Sequence, residues 1–221
     1  MKQPLLLLAS LLLVSTAQAQ FGVKAGANYA TLSKENKSSN YIHPKGRVGY
    51  QVGVFYEQKL AGRFSLVPEV QFSRQQLDAE VVRFNFPAED YYAQYQLKLS
   101  YLAIPVMLQT HFGKFYLEAG PQAGFLLAAR EKGEERTLSY LSSYMGPDNT
   151  TYFDRSATAD FRRFDVGICA GIGVKLPAGF AVGIRASTGL ISIARDTQTT
   201  SDDNHLRNQV AQASVSYQLG G

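Results

Sequence analysis

Between Phe164 and Thr188 the chain alternates in two-residue steps. Phe164, Val166, Ile168, Ala170, Ile172, Val174 and Leu176 fall on one face, and Asp165, Gly167, Cys169, Gly171, Gly173 and Lys175 on the other. After Pro177-Ala178-Gly179 the pattern restarts, with Phe180, Val182, Ile184 and Ala186 set against Ala181, Gly183, Arg185 and Ser187. Period-two alternation of this length is the signature of a strand hairpin whose faces meet different environments. The apolar face is long enough for a tilted strand to cross a bilayer, which takes about 9–11 residues.

Residues 1–19 read as a leader, not as part of the fold. Lys2 supplies a positive start, Leu5 to Val14 an apolar stretch, and Ala17-Gln18-Ala19 small residues for cleavage before Gln20. This is the pattern of a secretory signal peptide. No Cys follows the small-residue motif, so a lipoprotein anchor is not expected. Residues 20–221 are of a length that suits one all-β domain. The longest later apolar run, Leu102 to Leu108, is interrupted by Pro105. A membrane crossing would therefore be made by a closed barrel, the other structure that satisfies every backbone group in lipid. A formal charge of +4 is too mild to indicate a nucleic-acid partner. The single Cys169 has no intramolecular disulfide partner and no His near it in sequence, and reads as a small buried filler.

The alternation recurs along the chain. Phe21–Thr31, Arg47–Leu60, Phe64–Arg74, Tyr95–Phe112, Phe115–Ala129 and Arg207–Leu219 join the hairpin to give eight expected strands. Their connections go long, short, long, short, long, short, long. The long ones are expected at 32–46, 75–94, 130–159 and 192–205, where the alternation fades and polar residues gather. Within the strands Phe55 breaks the pattern. In Tyr95–Phe112, Gln96, Lys98 and Ser100 share parity with Leu102, Ile104, Val106 and Leu108, so the polar half is expected above the bilayer, with a bulge as the other option. Pro105 then needs a bulge or an unpaired position, since it has no N–H for the ladder.

Short turns on one side and long loops on the other, with an even strand count and both termini on the short-turn side, is the arrangement of an outer-membrane barrel. A soluble lipocalin-like barrel would also alternate, but with its apolar face inward. Two features favour the membrane reading. One face is rich in Gly and in isolated charges of both signs: Lys24, Arg47, Glu57, Glu69, Glu118, Asp165, Lys175 and Arg185. The other is aliphatic at mid-strand with Phe and Tyr towards the ends, as an aromatic girdle requires. In a barrel this narrow, side chains fill the interior. Lys24, Glu57, Glu69, Glu118, Lys175 and Arg185 are therefore expected to form a salt-bridged plug, the alternative being a small ion-conducting or porin-like pathway.

The segments Phe21-Gly-Val-Lys-Ala-Gly-Ala-Asn-Tyr29, Tyr101-Leu-Ala-Ile-Pro-Val-Met-Leu108, Tyr116-Leu-Glu-Ala-Gly-Pro121 and Asp165-Val-Gly167 through Gly173 resemble the outer-membrane β-barrel proteins of Bacteroidota, the porin-family or PorT-like group. The resemblance spans residues 20–219. It implies an all-β, transmembrane, antiparallel up-and-down barrel of eight strands in the bacterial outer membrane. It does not imply a substrate.

No metal, nucleotide or catalytic-triad motif stands out, and no cofactor is expected. His43 and His205, with Asp202 and Asp203, supply the residue types of a lipid-modifying barrel enzyme, but polar loops contain these types in any case. The expected function is a non-enzymatic structural barrel or binding platform. Its candidate external surface is Tyr91, Tyr92, Arg136, Tyr140, Tyr144 and Tyr152, supported by Arg130, Lys132 and Arg155. The expected partners are outer-membrane lipids including lipopolysaccharide, the barrel-assembly machinery during biogenesis, and a protein at the loops.

Overall fold

A computed structural model describes residues 19–34, 41–85, 89–139, 149–194 and 206–219. Residues 1–18, 35–40, 86–88, 140–148, 195–205 and 220–221 lie outside these. The described residues form nine strands: β1 (Ala19–Lys34), β2 (Tyr41–Lys59), β3 (Phe64–Asn85), β4 (Glu89–Phe112), β5 (Phe115–Ser139), β6 (Asn149–Ser156), β7 (Phe164–Lys175), β8 (Phe180–Gly189) and β9 (Leu206–Gln218). Every neighbouring pair is antiparallel.

Eight of them close into a ring, β1-β2-β3-β4-β5-β7-β8-β9, with β9 returning to β1. The ninth, β6, pairs with the upper part of β5 (Arg130 to Thr137), while β7 pairs with its lower part (Phe115 to Phe125). β6 and β7 are thus one wall position interrupted by residues 157–163. At the interruption Leu126 donates its N–H to the Arg163 carbonyl at 2.7 Å, Ala157 to the Ala129 carbonyl at 3.0 Å, and Ala129 to the Thr158 hydroxyl at 2.9 Å. The break therefore leaves these amides paired.

Parity fixes the faces. Phe21, Val23, Val52, Val54, Ile104, Leu108, Leu117, Ile168, Ile172, Ile184 and Val215 are exposed and form a continuous apolar belt outside the ring. Aromatic pairs lie near its lower edge, Phe21–Tyr56 with ring centroids 5.0 Å apart and Phe180–Tyr217 at 4.9 Å, and Tyr50–Phe72 lies near its upper edge at 6.3 Å. From Phe21 to Tyr29 the strand rises about 26 Å, or about 20 Å along the axis at a tilt of ~40°. That is the scale of the apolar band of an outer-membrane barrel. No helix among the described residues is long and apolar enough to cross a membrane.

The strands outrun the belt on one side of the ring. β3, β4 and β5 extend for 22, 24 and 25 residues, against 12 and 10 for β7 and β8. The segments expected as loops at 75–94 and 130–159 are thus largely sheet, paired from Gln75↔Leu99 to Asn85↔Glu89 and from Thr137↔Asn149 to Arg130↔Ser156. Above the belt the outer face turns polar while β3 and β4 keep Leu77, Ala79, Leu97 and Leu99 buried on the inner face, so the alternation inverts there while the hydrogen-bond ladder continues.

The polar half of β4 lies above the belt as expected, Gln96 and Lys98 continuing the outward row of Leu102, Ile104 and Leu108. β4 keeps one parity throughout, with Leu97, Leu99, Tyr101, Ala103 and Met107 buried in the interior. The irregularity sits opposite it: Ser100 pairs with Ala128 and Tyr101 with Leu126, leaving Leu127 as a bulge in β5. Pro105 lies where the β3–β4 ladder lacks pairs, between Pro68↔Val106 and Gln71↔Ala103, with the register unchanged across the gap, and it faces Gln122 of β5 on its other side.

The belt predicts a position-dependent cost of charge. Ile172→Arg is expected to destabilise the bilayer-embedded protein by about 2–4 kcal/mol and Ser33→Arg, above the belt, by close to zero, as read by denaturant unfolding in lipid vesicles. Equal costs would show that Ile172 does not face lipid.

Candidate functional site

Every strand of the ring sends a polar side chain into the lower half of the lumen. Glu69 of β3 is 2 % exposed and Arg185 of β8 is 6 % exposed. They meet through two charge-assisted hydrogen bonds, Nη2 to Oε1 at 2.8 Å and Nη1 to Oε2 at 3.1 Å. Arg185 turns its Nε to Glu118 Oε1 of β5 at 2.8 Å, and Lys24 of β1 reaches Glu69 Oε1 at 2.7 Å. Gln71 also donates to Glu69, and Gln109 of β4 donates to Glu118 at 2.9 Å. Nearer the short turns, Lys175 of β7 donates to both oxygens of Glu57 of β2 at 2.9 Å, and Gln218 of β9 adds a bond at 2.8 Å. Ser65 donates to Glu57 at 3.1 Å, and His111 Nε2 lies 3.4 Å from the same carboxylate.

The six charged residues singled out in the sequence are therefore brought together as two clusters. Lys24, Glu69, Glu118 and Arg185 form one, and Glu57 with Lys175 the other. Three cations meet three carboxylates, the balance that lets buried charges persist. Two other charges from the same sequence face behave differently. Arg47 points outward, because the β2–β3 register shifts between Arg47 and Tyr50, and it pairs with Asp78 at 3.2 Å on the surface. Asp165 is buried but makes no ion pair among the described residues.

The remaining interior is layered. Phe55, the residue that broke the alternation, faces inward with Val67, Met107 and Cys169, and Lys24 sits over its ring at 5.8 Å. Room for it comes from Gly22, where any Cβ would collide with the Phe55 ring. Tyr116 likewise fills space that side chains at Gly173 and Gly183 would occupy. Above the ion clusters lie Asn28, Gln51, Ser73, Gln75 and Asn208, all buried, with Asn28 donating to Ser73 at 3.2 Å and Asn208 to Gln75 at 3.0 Å. Above these, Leu77, Leu97, Leu99, Tyr101, Leu126, Ala129, Ala157 and Ile193 form an apolar cluster, with Phe161 packed against it. Ala157 and Phe161 come from the interruption between β6 and β7, and Ile193 from the segment after β8. Parity alone marks Gln109 and Gln218 as inward, but which inward residue meets which depends on ring closure.

The external surface divides. Tyr92, Arg136 and Tyr152 lie together on the outer face of the extended sheet, in a shallow groove also lined by Gln94, Glu134 and Thr150. The register sets Tyr92 opposite Arg136 and Glu134 opposite Tyr152, and Tyr152 is 78 % exposed. Tyr91 is on the opposite face, its hydroxyl 3.0 Å from Glu135. Tyr140, Tyr144, Asp202, Asp203 and His205 lie outside the described residues, as do the expected leader residues 1–18. Among the described residues no group of His, Cys, Asp and Glu has the make-up of a metal site.

Residues 15–195 match the family model described as outer membrane protein beta-barrel domain. The chain belongs to this family. Membership agrees with the ring and belt, and locates the barrel in the bacterial outer membrane. No curated relative matches the chain. Solved barrels of similar fold include the Neisserial surface protein A (12% identity over 90% of this chain and 97% of that one, TM-score 0.46). Others are Ail of Yersinia pestis in complex with the heparin analogue sucrose octasulfate (10%, 91% and 99%, TM-score 0.47) and OprG of Pseudomonas aeruginosa (10%, 92% and 97%, TM-score 0.42).

Arg185→Leu would leave Glu69 and Glu118 buried without their shared cation, a loss of about 3–5 kcal/mol. The expected result is a folded gel band that unfolds at lower temperature, with outer-membrane location retained. A band of unchanged heat resistance would mean that Arg185 is solvated rather than locked in the lumen.

Proposed function

We propose that the protein is a closed, non-enzymatic barrel that carries an extracellular sheet as a binding platform. The observation behind this reading is the double seal of the lumen, ionic in the lower half and apolar in the upper. At the short-turn end the described residues enclose a cavity of about 130 Å³ lined by Lys24, Glu57, Glu69, Tyr116 and Lys175. That is room for about four waters. A barrel filled in this way has little interior left for a solute, which leaves its projecting sheet as the part available for work. Tyr92, Arg136 and Tyr152 give that sheet the aromatic and guanidinium character enriched at binding hot spots. The motifs shared with PorT-like barrels of Bacteroidota support membership of that group. On this reading the barrel-assembly machinery is its partner during biogenesis, which the eight-stranded wall supports.

Two measurements test the reading. Purified protein in planar bilayers is expected to give no discrete conductance, and regular single-channel steps would overturn the closed lumen in favour of the channel. A photo-crosslinking side chain at position 152, introduced in living cells, is expected to trap a discrete protein adduct that Arg136→Ala removes. The same probe at Ile184, on the lipid face, should trap none. Absence of an adduct at 152, or its persistence with Arg136→Ala, would overturn the platform.

A further inference from the structure

Immediately above the apolar belt, three neighbouring strands present cations on the same outer face. Arg74 of β3 occupies the first outward position beyond Phe72, Lys98 of β4 lies two outward positions beyond Leu102, and Arg130 of β5 follows the bulge at Leu127. The register sets Lys98 directly opposite Arg130. Like charges facing each other across a ladder destabilise it, and neighbouring strands are only about 4.8 Å apart. A carboxylate answers only one of the three cations among the described residues. Asp154 is taken by Arg130 at 2.6 Å, Arg74 reaches only the neutral hydroxyl of Ser100 at 2.9 Å, and Lys98 is half-buried with no polar partner among the described residues.

We propose that Arg74, Lys98 and Arg130 form a binding site for a phosphate group carried by an outer-leaflet lipid headgroup. A phosphate offers several acceptor oxygens to a fork of Arg and Lys donors and removes the repulsion between Lys98 and Arg130. The height of the cluster selects the source. It stands one to two outward positions above lipid-facing Phe72 and Leu102, the level of the headgroups, so a phosphorylated glycolipid with its acyl chains against the belt brings its phosphate to these side chains. The site is separate from the groove at Tyr152 and does not depend on a protein partner there.

The test uses the full barrel in phosphatidylcholine nanodiscs, alone, with bisphosphorylated lipid A, with dephosphorylated lipid A, or with free inorganic phosphate. Lipid A bearing phosphates is expected to raise the unfolding temperature and to be retained by the protein, and the dephosphorylated form and free phosphate are not. Each cation removed, by Lys98→Gln or Arg74→Gln, should weaken retention about five-fold, whereas Lys98→Arg should preserve it. Without lipid A, Lys98→Gln should be slightly more stable than wild type because the like-charge contact is gone, a sign opposite to that of a variant that merely folds poorly. Equal stabilisation by dephosphorylated lipid A, equal stabilisation by free phosphate, or unchanged retention in both Gln variants would overturn the proposal.

Discussion

A strand in hydrocarbon has no water to satisfy its N–H and C=O groups, so the wall must close on itself throughout the belt. This constraint explains where the chain is regular and where it is free. Within the belt the eight-membered ring is continuous, and even the three prolines of the β3–β4–β5 wall, Pro68, Pro105 and Pro121, leave the ring closed. At Phe125 and Phe164, the upper limit of the β5–β7 pairing, the rule relaxes and residues 157–163 leave the wall. There Thr158 supplies a side-chain oxygen to the Ala129 amide, a local substitute for a ladder bond.

Closure creates an interior too narrow to stay empty, and the chain fills it by layers. Charges from opposite walls meet in the lower half, where Glu69 and Arg185 are almost fully buried. Amides and hydroxyls occupy the middle, and leucines with the returning Ala157, Phe161 and Ile193 occupy the top. Buried ion pairs are a weak source of net stability, because desolvation offsets much of their attraction. Their stronger effect is on register. A one-residue slip of any strand turns its inward charge towards lipid, so the three cations and three carboxylates jointly specify one alignment.

The sequence is legible wherever two different media flank a strand. Parity along Phe21–Tyr29 or Phe164–Lys175 separates lipid from lumen, and the same parity identifies the six lumen charges. It fails above the belt, where Gln75–Glu80 turns Leu77 and Ala79 inward behind a polar outer face and Arg130–Thr137 carries polar residues on both faces; β6 leaves no hydrophobic trace. It also fails at Arg47, where a local register shift turns one residue outward, and at Leu127, whose bulge shifts the parity of everything after it in β5. The pairing of Lys175 with Glu57 and of Arg185 with Glu69 and Glu118 was beyond sequence reasoning, because it depends on which strands face one another across the closed ring.

Almost all wall contacts join strands that follow one another in the chain, and the far-separated seam is β1 with β9, where Lys34 meets Leu206. The ion pairs, by contrast, join residues 45 to 118 positions apart. Hairpins can zip in order of synthesis at low entropic cost, but Lys175 meets Glu57, and Arg185 meets Glu69, only once the seam has shut. Contacts that form after the rate-limiting step leave the folding rate unchanged and slow the reverse reaction. The lumen cluster is in that sense a latch, adding residence time in the membrane to a barrel whose assembly it does not help to begin.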